Sequence, residues 1–63
     1  MMTYEKIIAA LKTLDPAENE IFDYRIEMFQ IRRVAWWNKP SNVTQHYYFD
    51  ENDVLYNVVV NGG

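Results

Sequence analysis

The sequence predicts an α+β fold: one N-terminal amphipathic helix packed on a three-stranded antiparallel sheet, with a long bent first strand and a C-terminal hairpin. Three observations lead there. Apolar residues recur at helical spacing over residues 3–14. They alternate strictly with charged residues over 22–28. Two further strand-forming runs, 43–49 and 54–60, flank a short acidic loop. The 63 residues are read as a single domain, with 61–63 as a frayed tail.

The helix comes first. Tyr4, Ile7, Ile8, Leu11 and Leu14 share one stripe, while Lys6, Ala9, Ala10, Lys12 and Thr13 fall elsewhere on the wheel. Thr3 is placed to cap the start, and Glu5 lies in the first turn, where the helix dipole favours an acid. The polar face carries only two lysines, so the stripe reads as core rather than membrane anchor.

Asp15-Pro16 stops this helix, because a residue before proline is pushed out of the helical region. The same pair followed by Glu18 also carries the signals of a helix start. Residues 16–37 therefore have two readings, strand or second helix. The alternation of Phe22, Tyr24, Ile26 and Met28 against Asp23, Arg25 and Glu27 favours strand. The phase then slips at Met28-Phe29, as a β-bulge would make it do. Extended, residues 21–37 would span about 55 Å, whereas a domain this small has a radius of gyration of about 11 Å. The strand must bend or project towards another chain. Lys39-Pro40-Ser41-Asn42 is turn chemistry, and VTQHYYF with VLYNVVV reads as a hairpin around Asp50–Asp53.

Composition limits what can hold so small a domain together. A chain of this length hides only roughly 60% of its unfolded surface and is marginal alone. It has no cysteine and a single histidine, His46, so neither disulfides nor a metal site, and no other cofactor, is expected. Ten aromatic residues, each able to bury about 150–250 Å², or self-association must compensate. A symmetric homodimer is expected, built on Ile31, Val34, Trp36 and Trp37 of the long strand. The cysteine-free composition and the absence of a signal-like start point to the cytoplasm. No apolar run nears the ~20 residues of a membrane span, so no membrane partner is expected.

Charge is segregated along the chain. Asp15, Glu18, Glu20, Asp23 and Glu27 are followed by a stretch free of acids that carries Arg32, Arg33 and Lys39. Asp50, Glu51 and Asp53 then close the pattern. Within the basic stretch Trp36 and Trp37 are adjacent, so on a regular strand one faces the core and the other the outer face. Arg32, Arg33, Trp36, Trp37, Lys39 and Tyr48 are the candidate partner-binding residues. Exposed Trp, Tyr and Arg are the commonest energetic anchors of protein interfaces.

Catalysis is not expected. Ser41, His46 and Asp50 are the sole residues that resemble a triad, and four extended residues separate His46 from Asp50 by roughly 13 Å. The reading is a non-enzymatic protein-interaction module, similar in size and charge to small accessory or inhibitor proteins of bacteria and phages. Single-stranded nucleic-acid binding by the Arg/Trp/Tyr surface is the main alternative, opposed by a net charge of −3. Acidic mimicry of a nucleic acid by the five residues from Asp15 to Glu27 is a further one.

Overall fold

A single apolar stripe on a short helix needs a surface to cover, and a row of antiparallel strands supplies it. The computed structural model describes residues 1–62. It contains α1 (Tyr4–Leu11), β1 (Asn19–Glu27), β2 (Gln30–Asn38), β3 (Val43–Phe49) and β4 (Leu55–Asn61). The strands form one antiparallel sheet in the order β1-β2-β3-β4, so each pairs with its neighbour in sequence. The class is α+β, with four strands rather than the three expected.

The long bent strand is in fact two strands. The chain reverses at Met28-Phe29, and Glu27 pairs with Gln30 across the turn. Both turn residues have positive φ, 52° and 64°, as a two-residue type I′ turn requires. The phase slip at these residues marks a hairpin and not a bulge. No Gly, Asn or Asp announces it, which is why the run reads as continuous. Folding back on itself, it fits a molecule of 33 × 21 × 21 Å, and its length no longer calls for a second chain.

The second-helix signals at Asp15-Pro16 act over one turn only. The Asp15 side-chain Oδ1 accepts from the Ala17 N–H at 2.9 Å, and its carbonyl accepts from Asn19 N–H at 2.9 Å. β1 begins immediately afterwards. At the other end of the helix Thr3 caps as expected, its Oγ1 accepting from Lys6 N–H at 3.4 Å. The helix ends earlier than its stripe, at Leu11, so Leu14 falls in the following turn and is exposed.

The register sorts side chains onto two faces. Directly paired residues lie on the same face. Val34 pairs with Tyr24 and Tyr47, and Phe49 pairs with Leu55. This is the face that α1 covers: Ile7 and Ile8 pack with Val34 and Phe49, and Tyr4, Leu11, Ile21, Ile31, Tyr47 and Leu55 border them. The Tyr4 ring meets Phe49 edge-on at 5.6 Å between centroids.

Irregularities in register occur at three places, skipping Phe22 in β1, Arg32 in β2 and Tyr56 in β4. At Arg32 the bulge restores Ile31 to the core face, opposite Ile26. Of the residues expected as a frayed tail, Asn61 is instead the last residue of β4 and pairs with Thr44; Gly62 follows the strand, and Gly63 lies outside the described residues.

Candidate functional site

The helix covers one face of the sheet and leaves the other without a second layer. On an antiparallel sheet such a face is ordinarily polar. Here the register places Asp23, Arg25, Arg33, Ala35, Trp37, Thr44, His46, Tyr48, Asn57 and Val59 on it. Phe22 joins them by packing edge-on against His46, with centroids 6.4 Å apart, and Tyr56 by packing against Tyr48 at 6.4 Å. Ala35 is fully buried although no helix covers it. The side chains around it form a thin second layer of their own.

The charges on this face are largely matched. Arg25 and Arg33 pair directly across β1 and β2, a placement that repels. Asp23 relieves it by accepting from Arg33, and Glu27 by binding Arg25 at 2.8 Å. Among the described residues Arg32 forms no ion pair. It lines a cleft of about 420 Å³ with Arg25, Glu27, Tyr48, Asp50, Glu51 and Tyr56. The Nε atoms of Arg32 and Arg33 are both shielded from solvent, so their stems lie against the sheet as long cationic side chains commonly do.

The candidate residues divide between the two faces. Arg33 and Tyr48 pair across β2 and β3. Arg32 lies in the same cleft as Tyr48. Trp37 is at the other end of β2, where its indole N–H donates to Asn42 Oδ1 at 3.1 Å and Lys39 Nζ lies 5.8 Å from the ring centroid. It borders a second, shallower cleft of about 410 Å³ with Glu20, Phe22, Asn42 and Thr44. Trp36 is not part of this surface. It pairs with Ile21 on the helix side and lines a small cleft with Leu11, Leu14 and Pro16. The tryptophan doublet is thus split, with Trp36 inward and Trp37 outward.

Phe22, Arg25 and Tyr56 belong to this face and are absent from the sequence-derived set. Phe22 and Tyr56 sit at bulges, which shift their strands out of simple alternation. Arg25 was visible as an outward residue of β1, but its nearness to Arg33 follows only from the hairpin at Met28-Phe29.

The three residues that resemble a triad are held apart. Ser41 Oγ donates to Asn38 Oδ1 at 2.6 Å in the β2–β3 turn. The carboxylate of Asp50 accepts from the N–H groups of Asn52 and Val54 and organises the β3–β4 loop. His46 stands between Ala35 and Val59 on the sheet. No helix among the described residues is long and apolar enough to cross a membrane. In comparisons with known proteins, no family model, no curated protein and no solved structure matches the chain.

Proposed function

We propose that this chain is a small non-enzymatic interaction module of the cytoplasm that holds a protein partner on the helix-free face of its sheet. One observation carries the reading: a sheet face with no covering layer bears Phe22, Trp37, Tyr48 and Tyr56 together with Arg25, Arg32 and Arg33. Rigid aromatics and guanidinium groups on a sheet framework give large contact area at low entropic cost.

Charge favours a protein over a nucleic acid. Arg25 and Arg33 already have carboxylate partners, and the Arg32 cleft includes Glu27, Asp50 and Glu51. A phosphate chain would meet these carboxylates at each of the three arginines, whereas a protein surface of mixed charge complements them. Acidic mimicry is less well supported, since Asp23 and Glu27 are neutralised by arginines.

The test compares the wild-type chain with Arg32→Glu, Tyr56→Ala and, as a control on the helix surface, Lys12→Ala. Proteins co-purifying from the native host are identified by mass spectrometry, and anisotropy is measured with labelled single-stranded oligonucleotides at low salt. The expected outcome is a defined protein retained by the wild type and by Lys12→Ala but lost from the two face variants. Micromolar oligonucleotide binding that is lost in Arg32→Glu and falls steeply with salt would replace this reading with the nucleic-acid one.

A further inference from the structure

Each end strand of an open sheet presents unpaired backbone groups, and natural proteins usually protect them with charge, bulges or a covering segment. β1 is protected in this way. It carries Glu20, Asp23, Arg25 and Glu27, and its pairing is interrupted at Phe22.

The start of β4 is closed by the chain itself. Val54 O accepts from Asp50 N–H on the β3 side, so the next N–H, that of Leu55, points outward and donates to Met2 O at 2.8 Å. Thr3 bridges Val54 in antiparallel fashion, and Tyr4 N–H donates to Asp53 O at 2.8 Å. The chain then turns into α1 and leaves the edge.

From Asn57 to Asn61 nothing among the described residues pairs with the outer side of β4. This stretch holds no charge, no proline and no glycine. Val58, Val59 and Val60 are 42%, 37% and 57% exposed.

We infer that the outer edge of β4 is the self-association surface of this protein, joining two copies through antiparallel β4–β4 pairing about a two-fold axis. The occupant is a second copy. The Asn57–Asn61 edge is an uncharged stretch of a chain of net charge −3, so two copies meet there with no like charges set opposite one another. An antiparallel strand pair is also self-complementary, so one unprotected edge per molecule closes the assembly at two. A two-fold axis normal to the sheet keeps both helices on one side and Val58 and Val60 beside their copies on that side. The two helix-free faces then merge into one surface. This inference does not rest on the partner-binding reading, and either stands without the other.

The interface is short, so a dissociation constant of roughly micromolar order is expected. Sedimentation equilibrium from roughly 5 to 500 μM, about two decades around that value, should show the mass rising from monomer to dimer and no further. Val60→Lys should remain monomeric with an unchanged far-ultraviolet spectrum. Should that variant fail to fold, amide hydrogen exchange of the wild type supplies the decision: protection at residues 57–61 should rise with concentration. A monomer mass throughout, exchange at 57–61 that is independent of concentration, or a dimer left intact by Val60→Lys would each overturn the assignment.

Discussion

Met28 and Phe29 hold dihedrals that a side chain resists. Residues other than glycine pay roughly 1–2 kcal/mol to sit in the left-handed region, and the structure returns little, since the two side chains are 90% and 105% exposed. Asn-Gly is the preferred pair for this turn. The double substitution Met28→Asn with Phe29→Gly should therefore stabilise the protein by about 1–3 kcal/mol, read as a higher urea midpoint with an unchanged m-value. A lower midpoint would mean that the native side chains pack on the sheet. Tyr47 offers a second residue-scale expectation. Burial pushes its hydroxyl above the ordinary tyrosine value, and burial, helped by Tyr24 and Asp53, does the same at Tyr4. The neutral form is thus favoured in the folded state. Its contribution is complete below the unfolded value near ~10 and is lost as pH rises through the higher folded value. Melting temperature should fall above about pH 10, and it should fall less steeply in Tyr47→Phe. Equal slopes in the two proteins would remove Tyr47 from the cause.

Elements show what the sequence discloses and what it hides. The stripe of α1, the Thr3 cap, the Asp50–Asp53 loop and the final hairpin were all readable, because each rests on residues close in sequence. The β1–β2 hairpin was not, since its turn residues are the opposite of what such a turn favours. The split of Trp36 from Trp37 followed from alternation, but the membership of Phe22 and Tyr56 on the outer face depends on bulges that carry no sequence signal. The packing of α1 on the sheet sets the next expectation. Phe49 is almost wholly buried beneath Tyr4, Ile7 and Ile8, whereas Leu11 is only half-buried. Phe49→Ala should cost about 3–5 kcal/mol and Leu11→Ala no more than about 2, measured by chemical denaturation. A larger loss at Leu11 would place the centre of the core further along the helix. Between β1 and β2, Asp23→Ala leaves Arg33 facing Arg25 without its carboxylate. The expected cost is about 0.5–1 kcal/mol, shrinking in high salt. An effect insensitive to salt would point to lost packing instead.

At the scale of the whole molecule, the residues before α1 are fastened to the start of the last strand. Met2 and Thr3 lie along Leu55 and Val54, and α1 rests on Phe49 at the end of β3. Removing residues 1–3 should cost about 1–3 kcal/mol through the lost cap and edge hydrogen bonds, with a weaker helical signal in circular dichroism; full retention of both would show the fastening to be incidental. The sheet itself contains only pairings between successive strands, a topology of short loop closures that favours rapid folding. The helix is the exception. Its docking site is assembled from strands that leave the ribosome after it, so during synthesis Ile7 and Ile8 lack their full cover until Val34 of β2, Phe49 of β3 and the start of β4 are in place. The helix, made before the strands it rests on, is then the last of these elements to settle, and its apolar stripe stays uncovered at least as long as those strands take to be synthesised.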